Sequence, residues 1–308
     1  MRVCLFGDSV LDNTIWLDDP RRNIETQLRA ALAEQFGGGA VALRDYTIDG
    51  LMAKEMRESP NVQTKLYFSM HRQLYKMPPY RIVDSYERVP YHDVAVLSIG
   101  GNDILEALRQ HRRDDRDWGA IMDTLRGDIE HAVSCLLQRC WHVILVLPYL
   151  PYYSPFIYRL LDITRDELVE VAYLHNRNMR RARRSLGPAR VSLLCLATEV
   201  DLADLGNYAS SPIEPSERLG GRMARQLARH LRGVRAGLSP RCPRLSRRQL
   251  RRFVDERLAG GGGSAWDFLR GSRGRRNGYI LGVLILTFFA HLFGWTPPRP
   301  RGGGTGVR

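Results

Sequence analysis

Short apolar runs alternate along the chain with longer segments in which apolar residues recur at helical spacing. The apolar runs predict five strands, at 3–6, 40–43, 93–99, 142–147 and 191–196. The helical spacing predicts helices over 24–36, 121–139, 165–185 and 220–231. Strands that alternate with helices form a mainly parallel sheet with crossover connections. The pattern therefore predicts the α/β class, with a three-layer α/β/α arrangement over residues 1–236.

Two segments fall outside this alternation. Residues 54–92 form a long polar and aromatic insertion, for which a lid over the site and a surface excursion both remain open. Residues 237–277 are rich in arginine and glycine, which predicts a flexible linker. Within this linker, residues 245–258 have the pattern of a short basic amphipathic helix.

Residues 278–295 are 18 positions without a lysine, arginine, aspartate or glutamate. This length is near the lower limit for a bilayer span, and Tyr279 and Trp295 stand where aromatic side chains favour the membrane interface. The segment predicts a C-terminal transmembrane helix followed by a short basic tail, 296–308. We expect a tail anchor with residues 1–236 in the cytosol, at the mitochondrial outer membrane or the endoplasmic reticulum.

The net charge of +13 is concentrated at one end of the chain. The segment from Gly237 onward holds 14 arginines and three acidic residues, so +11 belongs to it. We therefore expect no nucleic-acid partner for the α/β domain. The five cysteines form no CxxC pair and predict reduced thiols, and no group of residues has metal-ligand spacing, so we expect neither metal nor cofactor.

Three polar or glycine motifs each follow a predicted strand. Ser9 follows the first strand in Gly7-Asp8-Ser9, Gly50 follows the second, and Asn102 follows the third in a Gly-Gly-Asn-Asp run at 100–103. Open α/β sheets bind ligands at the carboxyl ends of their strands, so these residues are candidates for one site. Taken singly, the serine is also a common helix cap and the glycine a common turn residue.

The order and spacing of these motifs resemble the first three blocks of the SGNH/GDSL hydrolases, over residues 2–232. The resemblance implies a flavodoxin-like sheet and an esterase in which Ser9 is the nucleophile. It also implies an oxyanion hole made by the N–H groups of Ser9 and Gly50 and by the side chain of Asn102.

The fourth block departs from the family pattern, Asp-x-x-His. Here Ser211 stands at the aspartate position and Glu214 at the histidine position. The Ile-Glu-Pro-Ser motif resembles a subset of the family that has the same exchange. An unperturbed glutamate has a pKa of about 4.3 against about 6.5 for histidine, which makes it a weaker base by roughly 3 kcal/mol. Three interpretations stay open: Glu214 acts directly on Ser9, another histidine serves as the base, or the site binds without hydrolysing.

The histidines offer no clear substitute for the missing base. His92 and His142 open predicted strands and should lie at the far edge of the sheet, and His71 falls in the insertion. The others are predicted at the surface: His111, His131, His175 and His230. Four aspartates crowd the site edge and either tune its electrostatics or cap helices: Asp8, Asp12, Asp49 and Asp103.

The sequence thus predicts a tail-anchored serine hydrolase that cleaves a carboxylic ester, with a membrane lipid or lipid-derived acyl ester as one substrate class. Two alternatives belong to other classes of function. One is a catalytically inactive, membrane-anchored binding protein of the same fold. The other is an interaction protein whose arginine-rich tail contacts anionic lipid or nucleic acid.

Overall fold

The computed structural model describes residues 1–58, 89–147, 162–196, 204–209, 214–238 and 242–258. Five parallel strands form one sheet in the order β2-β1-β3-β4-β5. They are β1 (Arg2–Gly7), β2 (Ala42–Thr47), β3 (His92–Ser98), β4 (Cys140–Leu147) and β5 (Val191–Cys195). This is the flavodoxin-like order, whose ligand site lies where β1 and β3 meet. The predicted class and parallel sheet are confirmed.

Helices cover both faces of the sheet. They are α1 (Ile24–Phe36), α2 (Ala53–Glu58), α3 (Gly101–Gln110), α4 (Trp118–Leu137), α5 (Arg165–Ser185), α6 (Glu217–Arg235) and α7 (Arg247–Leu258). Because side chains alternate along a strand, each strand supplies both cores. On β1, Val3 and Leu5 pack with α1 and α6, whereas Cys4 and Phe6 pack toward α4 and α5. The three-layer arrangement is therefore present.

The second strand begins and ends later than its apolar run predicts. The run is 40–43, but β2 extends to Thr47 through polar residues. Asp45 accepts hydrogen bonds from the N–H of Thr47 at 2.9 Å and from its hydroxyl at 2.6 Å. Among the described strands β2 lies at the edge of the sheet, and its buried polar side chains Asp45 and Thr47 are hydrogen-bonded to each other.

Two histidines predicted at the surface, His175 and His230, are buried, and so is His142 on β4. His230 on α6 and His142 on β4 each contact the hydroxyl of Ser192 on β5 at 2.8 Å. His175 on α5 is also buried. Burial lowers the pKa of all three imidazoles to about 4, so they are neutral at physiological pH. The surface prediction was wrong for His175 and His230 because each lies on the sheet-facing side of its helix.

The C-terminal segment contains the helix that the basic pattern predicts. Helix α7 packs against α5, and its Leu250 and Val254 are buried in the core. Its charged side binds α5 through Arg247 with Glu170, at 2.7 Å, and Arg251 with Asp166, at 2.8 Å.

Several predicted features lie outside the described residues. They are most of the 54–92 insertion, the linker beyond 258, the transmembrane helix at 278–295 and the tail at 296–308. Within the part of the chain that the structure describes, no helix is both long and apolar enough to cross a bilayer.

Gly7 ends β1 where two backbones approach closely. Its φ is +123°, and a Cβ at this position would overlap the carbonyl group of Ser98. We expect Gly7→Ala to lower the free energy of unfolding by about 3 kcal/mol or more, measured by chemical denaturation, because backbone rather than a side chain must move. The control is Gly127→Ala on α4, where an added Cβ would meet no other described group within 4 Å. This substitution should be neutral or should raise the free energy of unfolding by up to about 1 kcal/mol. Equal effects would contradict this account.

Candidate active site

Ser9 lies in a tight turn that follows β1 at the carboxyl edge of the sheet. The N–H of Asp8 donates to the carbonyl of Ser98 at 2.9 Å, which continues the pairing of β1 with β3. The carbonyl of Asp8 then accepts from the N–H groups of Leu11 and Asp12, both at 3.0 Å, and this closes the turn around Ser9. The Ser9 side chain is held in a buried position, 7% exposed.

Asp8 ties this turn to the end of β3. Its Oδ1 accepts from the hydroxyl of Ser98 at 3.0 Å and from the N–H of Val10 at 3.2 Å. Burial raises the pKa of Asp8 to about 7, although both of these hydrogen bonds oppose the rise. Asp8 therefore lies next to the candidate nucleophile as a group that titrates near neutral pH.

Gly50 lies in the turn after β2, with a φ of +80° that favours glycine. The residue before it is buried: Asp49 accepts from the indole N–H of Trp16 at 2.8 Å, and its own N–H donates to Asp12 at 3.3 Å. Burial and the charge of Asp12 raise the pKa of Asp49 well above its ordinary value. The Gly50 turn is thereby fastened to the loop that follows Ser9.

Asn102 stands in the first turn of α3, after Gly100, whose left-handed φ of +110° begins the helix. Its Nδ2 donates to the carbonyl of Leu51 at 3.0 Å, so the third motif contacts the Gly50 turn. An amide nitrogen carries two hydrogens, and among the described residues the second has no protein acceptor.

Asp103, the residue after Asn102, contacts the start of α2. Both of its carboxylate oxygens accept from the N–H of Ala53, at 3.1 and 2.9 Å, and so cap the start of α2. Burial raises the pKa of Asp103 to about 6. Of the two roles open for this aspartate, helix capping is the one that its contacts support.

Glu214 is brought directly to Ser9. Glu214 is 4% exposed, and its carboxylate is close enough to the Ser9 hydroxyl for that hydroxyl to lower its pKa. Burial raises the pKa of Glu214 well above its ordinary value, the negative charge of Asp49 adds to the rise, and the Ser9 hydroxyl opposes it. The other carboxylate oxygen, Oε2, is buried without a hydrogen-bond partner among the described residues.

The histidines have other contacts. His142 and His230 bond Ser192, and His175 lies behind the third motif, where its Nε2 would be 3.2 Å from a Cβ at Gly100. Within the described ranges, no histidine hydrogen-bonds Ser9. Ser211, at the family's aspartate position, lies outside those ranges, as does His71.

The sequence reasoning missed two buried residues in the loop after Ser9. Trp16 fixes Asp49, and Asn13 bonds the carbonyl of Pro215, next to Glu214, at 3.0 Å. The available signal was a run of polar residues, Asp12 to Thr14, directly after the serine motif. Taken together, the arrangement offers a hydroxyl, a carboxylate that accepts its proton, and nearby N–H groups. In the described part of the chain, no group of side chains has the geometry to hold a metal ion.

No family model matches this chain, and no curated protein matches it. Several solved structures resemble it. An acetyl-xylooligosaccharide esterase of Geobacillus has a TM-score of 0.49 at 13% identity, over 75% of this chain and 93% of that one. An acetyl xylan esterase has a TM-score of 0.48 at 14% identity, over 74% and 98%.

A third similar structure is a carbohydrate esterase of family 2 from Corynascus thermopiles (Myceliophthora fergusii), at a TM-score of 0.47 and 14% identity. The match covers 76% of this chain and 66% of that one, so this chain spans about two thirds of the length of that enzyme. These proteins are esterases, the class of enzyme that the SGNH/GDSL resemblance implies. A likeness of this degree carries no argument about activity, which has to come from the geometry of Ser9 and its neighbours.

Proposed function

We propose that the chain is a serine esterase that cleaves a carboxylic ester through an acyl-enzyme on Ser9, with Glu214 as the general base. The proximity of the buried Glu214 carboxylate to the Ser9 hydroxyl, which lowers the pKa of Glu214, is the observation that carries this proposal. A nucleophile and its base must lie within hydrogen-bond reach, and this pair does so without an intervening histidine.

In the acylation step, the Ser9 oxygen attacks the ester carbonyl carbon and its proton passes to Glu214. The carbonyl electrons move onto oxygen, and the N–H groups of Ser9 and Gly50 and the second N–H of Asn102 stabilise that charge. The Gly50 N–H also contacts the Asp49 carboxylate. Collapse of the intermediate expels the alkoxide, which takes the proton from Glu214 and leaves as the alcohol.

Deacylation repeats the sequence with water. Glu214 accepts a proton from water as the hydroxide attacks the acyl carbon, and collapse releases the carboxylic acid while Ser9 regains its proton. The elevated pKa of Glu214 supports this role, because a carboxylate in this buried site is a stronger base than an exposed glutamate. The energetic disadvantage of glutamate relative to histidine is thereby reduced.

The proposal predicts covalent labelling by a fluorophosphonate, which loses fluoride to an activated serine. Wild type should label at one site, and Ser9→Ala should abolish labelling. Glu214→Gln should slow it by about 10²–10⁴-fold, the range that general-base catalysis contributes. Ser134→Ala, on the exposed side of α4, is the control and should label as wild type. A wild type that labels no faster than Ser9→Ala would contradict the esterase and favour the inactive binding protein.

The raised pKa of Glu214 predicts an activity that increases with pH. Only the ionised carboxylate accepts the Ser9 proton, so kcat/KM for a p-nitrophenyl ester should climb through a pKa above the ordinary value of glutamate. Asp103→Asn should keep this ascending limb, because Asp103 titrates near 6 but caps α2. If the limb moves in Asp103→Asn and persists in Glu214→Gln, Glu214 is not the base.

The same shift predicts a gain in stability when the carboxylate is removed. Because folding raises the pKa of Glu214, the contribution of this residue to the free energy of unfolding falls as pH rises from about 4.5 through the folded-state pKa. Relative to wild type, Glu214→Gln should therefore be more stable at pH 8 than at pH 4.5, by about 1 kcal/mol or more in chemical denaturation. Arg109 lowers the pKa of Glu106, so Glu106→Gln should show no such gain. A pH-independent difference for Glu214→Gln would contradict the shift.

A further inference from the structure

Asn13 connects the loop after Ser9 to the segment that carries Glu214. Its side chain is fully buried, and both ends of the amide are used. Nδ2 donates to the carbonyl of Pro215 at 3.0 Å, and Oδ1 accepts from the N–H of Ile24, at the start of α1, at 3.0 Å. One side chain thus joins the loop after Ser9 and the start of α1 to a segment 202 residues further along the chain.

Glu214 depends on its main chain for its position. The described residues give its Oε2 no hydrogen-bond partner, and among them the Ser9 hydroxyl is the side-chain donor that acts on the carboxylate. The backbone around it is held by the N–H of Ala209, which donates to the Glu214 carbonyl at 2.9 Å, and by the bridge between Tyr208 and Pro215. Proline has no N–H, so the carbonyl is the only main-chain group through which Pro215 can be bound, and Asn13 binds it.

The chemistry of this position requires an amide. The Ile24 N–H needs an acceptor and the Pro215 carbonyl needs a donor, and asparagine supplies both on one short side chain. An aspartate would keep the acceptor but would set a carboxylate oxygen against the Pro215 carbonyl oxygen. Asp12 and Asp49 are buried nearby, so a further charge here would be unfavourable.

We propose that Asn13 is a positioning residue that holds Glu214 within reach of the Ser9 hydroxyl by clamping the Pro215 carbonyl. The inference rests on the proposed esterase function for its effect on rate, although the clamp itself can be measured without activity. Asn13 touches no reacting atom. It sets the distance between the base and the nucleophile, to which proton-transfer rates are highly sensitive.

The test uses Asn13→Asp, which keeps the acceptor for Ile24, and Asn13→Ala, which is neutral and loses both bonds. The control is Asn178→Asp on α5, where a buried asparagine likewise donates to a carbonyl, that of Met122 at 2.8 Å, away from the site. We expect kcat to fall at least about 10-fold in both Asn13 variants with little change in KM, and to stay within about 2-fold of wild type in the control.

The pH profile separates positioning from charge. A displaced base lowers kcat at every pH, so the loss in Asn13→Ala should persist at high pH. A loss that disappears at high pH in both Asn13 variants would mean that only the ionisation of Glu214 had changed, and would overturn the proposal. Wild-type kcat in Asn13→Ala would overturn it as well.

Amide hydrogen exchange keeps this inference distinct from the proposed function. In both Asn13 variants, the N–H groups of Ala209 and Ser216, which are bonded to Glu214 and Asn207, should exchange at least about 10-fold faster than in wild type. The control should leave them unchanged. If wild type hydrolyses no ester, the proposed esterase function is wrong, but the exchange rates still test whether Asn13 holds the Pro215 segment. Unchanged exchange in Asn13→Ala overturns the role of Asn13 whatever the activity.

Discussion

Burial of several carboxyl groups around one hydroxyl is the constraint on which the rest of the site depends. Asp8, Asp12, Asp49 and Glu214 are each at most 5% exposed and lie at the same sheet edge as Ser9. Charges in such a place are costly unless they are hydrogen-bonded or keep a proton. The surrounding loops are therefore arranged as donors: the Trp16 indole, the Ser98 hydroxyl, and N–H groups of the turns all face these carboxylates.

The same constraint bears on the carboxylate that stands where the SGNH/GDSL pattern, which the sequence resembles, has histidine. A carboxylate in water is a poor base toward a hydroxyl, but one that is dehydrated and placed near another negative charge holds its proton more strongly. The structure supplies both conditions to Glu214. Burying the charge lowers the free energy of unfolding, and the packing of the two hydrophobic cores on either side of the sheet compensates for this loss.

Most of the fold was predictable because the strands of a doubly wound sheet are apolar runs, and their carboxyl ends meet at one edge. That rule predicts Ser9, Gly50 and Asn102 at one edge of the sheet. The polar β2 and the buried His175 and His230 were not predictable in this way, because pattern alone does not reveal which polar side chains find partners inside. Asn13 was missed for the same reason: its partner Pro215 lies about 200 residues further along the chain.

The pairing of Ser192 with two histidines has a consequence of its own. A hydroxyl has one hydrogen, so with bonds of 2.8 Å to the Nε2 atoms of both His142 and His230 it donates to one ring and accepts from the other. While both rings are neutral, the two imidazoles must therefore be opposite tautomers, and a proton gained at Nε2 of the accepting ring would require the Ser192 hydroxyl to rotate and accept from both rings. The start of β4 is consequently joined to β5 and α6 by a hydrogen-bonded chain in which both protons on Nε2 and Oγ point the same way, and burial keeps its two rings neutral by lowering their pKa to about 4.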